Sequence, residues 1–180
     1  MDATIKSEGI CKSYKKVTAL KDISLNIDNG EIFGLIGPDG AGKTTLFRIL
    51  TTLSLADRGT AEVCGLDVVK DYVKIRSEIG YMPGHFALYQ DLSVEENLQF
   101  YASIFGTDVK SNYDNIKEIY RQLEPFKTRR AGALSGGMKQ KLALCCALVH
   151  RPKVLFLDEP TTGVDAVNRK EFWAMLRRIR

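Results

Sequence analysis

Positions 37–45 read GPDGAGKTT, which puts Gly37, Gly42, Lys43 and Thr44 in the spacing G-x-x-x-x-G-K-[ST]. Glycines accept positive φ, so successive backbone N–H groups across this loop can turn inward and form a concave anion nest. A helix beginning at Lys43 would add its own N-terminal N–H donors and the positive end of its dipole. A lysine there opposes that dipole by only a few tenths of a kcal/mol when exposed. A phosphate reverses the balance, because a charge-assisted hydrogen bond contributes about 1.5–3 kcal/mol. The Thr44 hydroxyl is suited to a magnesium ion beside the phosphates. Asp39 is the odd member, since an acid near phosphates is unfavourable unless it points away.

A second chemical feature closes the run VLFLDEP, where an apolar strand ends in Asp158 and Glu159. Ligands of open α/β sheets sit off the carboxyl ends of strands. Neighbouring strand residues point to opposite sides, so the two acids should differ in role. Asp158 suits Mg²⁺, directly or through water, and Glu159 suits the polarisation of a water for attack on a γ-phosphate.

These groups need a scaffold. Alternating apolar and polar residues over 4–10 and 17–27 predict half-buried strands, with Ile23, Leu25 and Ile27 on one face. The apolar run EIFGLIG predicts a buried strand over 31–37, leading into the glycine loop and a helix from about Lys43 to Leu53. GTAEVCG reads as a strand, 70–78 as a short helix and IGYM, 79–82, as a strand ended by Pro83 and Gly84. Residues 86–134 change character. Ser93 and Glu96 make a capping box that opens a helix to about Phe105, and a second helix runs from Tyr113 to Glu124. Ser135 opens a further helix with Met138, Leu142, Cys145 and Val149 at helical spacing; a buried strand at 153–158 and a last helix over 167–180 follow.

The 180 residues carry a net charge of +4, with basic and acidic residues interspersed, so charge gives no reason to expect a nucleic-acid partner. The longest apolar run, LALCCALV, has 8 residues, where a membrane span needs about 20. Cys11, Cys64, Cys145 and Cys146 lack C-x-x-C spacing and read as reduced, buried cysteines rather than a zinc site.

The stretch LSGGMKQK, Leu134 to Lys141, stands after the glycine loop and just before LFLDEP. In that order the chain resembles the ATPase domains of ABC transporters along essentially its whole length. The resemblance implies an α/β fold: a P-loop NTPase core over 1–85 and 135–180, a small N-terminal antiparallel β-sheet, and an inserted α-helical subdomain over 86–134. It implies ATP and Mg²⁺ as ligands. Gly37, Pro38, Asp39, Gly40, Ala41, Gly42, Lys43, Thr44 and Thr45 match the Walker A loop. Tyr14 matches the aromatic residue that stacks on adenine, a strand-end core tyrosine being the alternative. Thr44 and Asp158 match the metal-binding positions, Glu159 the catalytic glutamate and Asp165 the end of the D-loop. Ser135, Gly136 and Gly137 match the signature that contacts the nucleotide of a second ATPase domain, in a homodimer or a tandem half. Further implied are an integral membrane transporter subunit docked near residues 84–100, a cytoplasmic place at the inner face of the membrane, and hydrolysis coupled to transport. The spelling is most similar to exporters of the drug and polysaccharide type.

Two features depart from the family pattern. Gly84 stands where a glutamine usually helps hold Mg²⁺ or water, with His85 beside it as a possible substitute. The family's switch histidine lies farther beyond Glu159 than the chain extends, and His85 and His150 both precede Glu159. The chain therefore reads as a C-terminally truncated piece of a longer protein, expected to bind nucleotide and turn it over poorly. A soluble tandem ABC protein acting on the ribosome, or an ATP-binding module without hydrolysis, are the alternatives. The 98 positions from Gly37 to Ser135 leave no room for the coiled-coil insertion of DNA-repair relatives.

Overall fold

A computed structural model of the chain describes residues 3–84, 88–162 and 165–179. They form two compact units, Met1–Ile79 and Gly80–Arg180.

The first unit is built on a four-stranded antiparallel sheet of order β2-β1-β3-β4, with β1 Ala3–Tyr14, β2 Val17–Asp28, β3 Arg58–Val63 and β4 Leu66–Asp67. Burial alternates over Ile23, Leu25 and Ile27 of β2 and over Ala61 and Val63 of β3, while register shifts between Ser7 and Lys12 break the period so that Ile5 and Ile10 of β1 are both buried. Helix α1, Lys43–Leu50, lies against β2 and β3 and buries Leu46, Ile49 and Leu50. Each such side chain contributes about 1.5–3 kcal/mol on leaving water. That packing fixes where the glycine loop hands over to the helix. Helix α2, Tyr72–Glu78, buries Ile75 and leads into β5, Ile79–Met82.

One expectation fails in this unit. Residues 31–38 belong to no strand among the described residues, and Ile32, Phe33 and Ile36 are exposed, Ile36 almost wholly. The four strands of the sheet pair in the order β2-β1-β3-β4 without this segment. An apolar run records a tendency to be covered on both faces; it does not supply the neighbouring strands that cover it.

The described residues of the second unit include a two-stranded sheet of β5 and β6, Val154–Leu157, and the α-helices α3 Val94–Ile104, α4 Tyr113–Tyr120, α5 Gly136–Leu148 and α6 Ala166–Ile179. Strand β6 is narrower than the 153–158 expected and only Phe156 in it is fully buried. The core joins Val94 and Leu98 of α3 to Ile116 and Ile119 of α4, Leu142 and Leu144 of α5, and Phe172 and Met175 of α6. Helix α5 is buried nearly all round, which is why its apolar residues follow no clean stripe. Cys145 and Cys146 sit inside it, and burial pushes both thiols up.

The capping box at the start of α3 is present in full: the Glu96 N–H donates to Ser93 Oγ at 3.2 Å and the Ser93 N–H to Glu96 Oε2 at 2.7 Å. One turn on, Asn97 is completely buried. Its Oδ1 accepts from the Tyr89 N–H at 3.0 Å, and its Nδ2 lies within hydrogen-bonding distance of the carbonyls of Tyr89, Leu92 and Ser93. The same loop is tied on its other side, where the N–H groups of Ala131 and Gly132 donate to Leu92 and Gln90 carbonyls, each at 2.8 Å. This clamp sets the entry to α5. Asn97→Leu takes the acceptor from the Tyr89 N–H and the amide donor from carbonyls that keep only the N–H groups of Leu92, Ala131 and Asn97, so it should cost about 1–3 kcal/mol in urea unfolding. Amide exchange at Tyr89 should accelerate in the same variant.

Candidate functional site

In the first unit the glycine loop turns through two left-handed residues, Gly40 at φ 78° and Gly42 at φ 90°. Gly42 is the N-cap of α1 and has no side chain to cap with; the first turn of α1 carries no acidic residue. The positive end of the helix dipole therefore meets no cap and no acid from the helix's own first turn, which suits an anion site. A Cβ at Gly42 would lie 2.3 Å from the Ala19 carbonyl oxygen, so the backbone of β2 closes against the loop where a side chain would otherwise be. Lys43 Nζ donates 2.8 Å hydrogen bonds to the carbonyls of Gly37 and Pro38, drawing the beginning of the loop to the helix start. Asp39 is exposed. Thr44 and Thr45 stand half-buried on the first turn of α1. Tyr14 closes β1 with its ring 45% exposed and Lys12 Nζ 5.5 Å from the ring centroid. It is a surface ring at a strand end, free of the core packing that was the alternative.

In the second unit Asp158 and Glu159 follow β6 directly and differ in burial, the chain having left strand geometry at Glu159. Asp158 is buried, and its N–H donates to the Met82 carbonyl at 2.9 Å. Glu159 is exposed and left-handed at φ 49°, a conformation that costs a non-glycine residue roughly 1–3 kcal/mol and marks sites worth examining. Gly84 lies beside this pair: a Cβ there would come 3.3 Å from the Asp158 carbonyl oxygen and 3.8 Å from Glu159 Cβ. A glutamine at 84 would thus press on the backbone that carries both acids. His85, considered as a substitute ligand, lies outside the described residues.

The signature segment opens α5. Ser135 caps it by accepting from the Met138 N–H at 3.3 Å, and Ser135 and Gly136 are exposed. With no acid in the first turn of α5, this is a second helix start able to face an anion. Asp165 is exposed just before α6, and its carbonyl accepts from the Arg169 N–H at 3.0 Å.

The structure adds residues that the motifs did not single out. Thr162 Oγ1 donates to Glu159 Oε2 at 3.1 Å, and the Thr162 N–H donates to the Glu159 carbonyl at 3.1 Å. Buried Gln140, on α5, points its Nε2 at the Thr162 carbonyl, 3.5 Å away. The sequence signal was a hydroxyl three residues after an acid, with a proline between, which is turn chemistry.

Comparison with known proteins agrees with these features. The family model described as ABC transporter matches residues 20–162. The chain is 45% identical, over 99% of its length, to "Probable multidrug ABC transporter ATP-binding protein YbhF" of Escherichia coli K12, and spans 32% of that protein. It is 37% identical, over 97% of its length, to the doxorubicin resistance ATP-binding protein DrrA of Mycobacterium tuberculosis, and spans 54% of it. The chain thus covers between a third and about half of these curated relatives. Among solved structures, an ATP-binding subunit of an ABC transporter superposes with a TM-score of 0.86 at 26% identity, covering 98% of this chain and 74% of that one. The dimeric bacterial ABC transporter cassette MJ0796 superposes with a TM-score of 0.85 at 26% identity, covering 97% and 82%. The fold is accordingly the α/β P-loop NTPase type, and with its glycine loop, strand-end acids and signature helix in family order, the chain belongs to the ABC transporter family as an ATP-binding domain.

Proposed function

We propose that this domain binds MgATP and hydrolyses it to ADP and phosphate to drive a membrane exporter. The observation that carries the reading is the glycine loop. Two left-handed glycines, an uncapped helix start without acids, and Lys43 held at the loop together make a cradle for a triphosphate tail. Gly37 to Thr45 bind the phosphates, and Tyr14 offers its exposed ring to the adenine. Thr44 and Asp158 carry the oxygen ligands that magnesium prefers, few protein oxygens plus substrate phosphates being its usual shell; the ion would supply charge neutralisation at the phosphates. Glu159, exposed at the strand end, takes the proton of the attacking water. The export role draws on the drug-resistance names of the relatives.

The signature residues Ser135, Gly136 and Gly137 then serve the nucleotide of a second ATPase domain, and Asp165 lies on the same interface. The existence of a dimeric cassette of this fold supports that assembly. No described helix is long and apolar enough to cross a membrane; coupling in this reading is to a membrane subunit at the cytoplasmic face. Residues 84–100 suit its docking: Tyr89 and Phe100 pack edge to face with ring centroids 4.7 Å apart and remain 50% and 36% exposed.

Calorimetric titration with MgATP tests the core of this reading. Lys43→Ala should weaken binding by about ten- to a hundredfold, the loss of one charge-assisted hydrogen bond to phosphate. An affinity equal to that of the parent protein would overturn it.

A further inference from the structure

Gln140, Thr162 and Glu159 form a continuous path of hydrogen bonds within the second unit. Gln140 is 2% exposed, an amide held inside a helix whose other inner residues are mostly apolar. Its Nε2 reaches the Thr162 carbonyl at 3.5 Å, and Thr162 in turn grips Glu159 twice, by its N–H on the Glu159 carbonyl and by its hydroxyl on Oε2, each at 3.1 Å. Glu159 itself is strained, at φ 49°, and exposed. The Thr162 hydroxyl bond on Oε2 gives this exposed carboxylate its direction, while the Thr162 N–H holds the Glu159 backbone carbonyl. The path begins on the helix that Ser135 caps, five residues before Gln140.

We propose that Thr162 is the positioning residue of the Glu159 carboxylate, and that Gln140 ties its placement to the signature helix. The inference rests on the reading of Glu159 as the group that accepts the proton of the attacking water. A helix moves as a rigid element, so a nucleotide seated at the N-terminus of α5 shifts Gln140, the Thr162 carbonyl and the carboxylate together. Each domain would then hold its own Glu159 ready only when its signature helix is engaged by the nucleotide of the partner domain. No proton passes along the path; it acts through orientation alone.

The test uses the full-length protein assembled with its membrane subunit, and steady-state ATPase kinetics. Thr162→Ala should lower kcat by roughly three- to tenfold and leave KM for ATP within about twofold, the pattern of an interaction realised in the transition state. Thr162→Ser, which keeps the hydroxyl, should restore kcat to within about twofold of the parent. Gln140→Leu keeps the helix volume and should reduce the Hill coefficient for ATP toward one. In a Glu159→Gln background, Thr162→Ala should change the residual rate no further, as expected when two groups act as one. A Thr162→Ala protein with unchanged kcat, one whose KM rises while kcat holds, or a serine variant that fails to rescue would each overturn the proposal. A Glu159→Gln protein that keeps its turnover would sink the assignment of Glu159 along with it. An inert Glu159→Gln beside a fully active Thr162→Ala would sink the positioning role alone.

Discussion

Glu159→Gln should lower ATP turnover by about a hundred- to ten-thousandfold, the usual contribution of a positioned general base, while leaving MgATP affinity close to that of the parent. The substitution is nearly isosteric. Glutamine Oε1 can still accept the Thr162 hydroxyl hydrogen bond that Glu159 Oε2 accepts at 3.1 Å, so the left-handed turn at 159–162 has no reason to change. What disappears is the capacity to take a proton. In the proposed reading nucleotide binding rests on the glycine loop and Lys43, whose hydrogen bonds to the Gly37 and Pro38 carbonyls do not involve residue 159. Kinetics and binding should therefore separate cleanly. Phosphate release measured on the full-length protein gives the first quantity, and equilibrium titration with MgATP the second. Gel filtration in saturating MgATP adds a third: with hydrolysis stopped, the ATP-closed pair of domains should accumulate. Turnover that survives, or affinity that falls in step with turnover, would remove Glu159 from its assigned role.

Much of this site could be read from residue order because its chemistry is local. The glycine spacing before Lys43, the Ser93–Glu96 capping box and the Ser135 cap each depend on backbone groups within a few residues, and all three have the expected local geometry. The helix at 136–148 announced itself by period and that at 94–104 by its capping box, the one expected over 113–124 ends at Tyr120, and the strand-end acids were marked by the apolar run before them. Contacts made at long range in sequence were not legible. Residues 31–37 carry the composition of a buried strand, but composition does not say which chains of hydrogen bonds will receive it, and the segment stands outside the sheet. Asn97 looked like one more polar helix residue; its role exists only because the loop at 89–93 folds back onto it. The Gln140–Thr162 contact joins residues 22 apart. The cost of a side chain at 84 likewise became visible only when the Asp158 carbonyl was found 3.3 Å from where its Cβ would be.

Alanine placed in turn at the glycines of the phosphate loop should weaken MgATP binding in the order Gly42, Gly40, Gly37, with Gly42→Ala abolishing it at the concentrations of a calorimeter. The three positions differ in two separable costs. At Gly42 both apply. Its φ of 90° is one that L residues rarely adopt, and a Cβ would sit 2.3 Å from the Ala19 carbonyl oxygen and 2.8 Å from Leu20 Cδ2. The leucine tip can turn aside, but the carbonyl belongs to β2 and is held in the sheet. Either the loop or the strand must move, and a left-handed penalty of about 1–2 kcal/mol is added to that displacement. At Gly40 only the first cost applies, since φ is 78° and nothing lies within 4 Å of the added methyl. Strain of about 1–2 kcal/mol against the loop geometry should weaken binding by roughly five- to thirtyfold. At Gly37 no positive φ is required and the nearest neighbour is the Ala41 methyl at 3.3 Å, which needs to yield only a few tenths of an ångström. Binding there should fall by no more than about threefold, the scale of a small surface adjustment. Thermal unfolding by circular dichroism distinguishes a lost loop from a lost fold. Gly40→Ala and Gly37→Ala should melt within a few degrees of the parent, so their graded loss of affinity reports on the loop itself. If Gly42→Ala bound MgATP as well as Gly40→Ala does, the close approach of β2 would not be what shapes the cradle. If all three bound like the parent, the turn at 37–42 would not be holding phosphate.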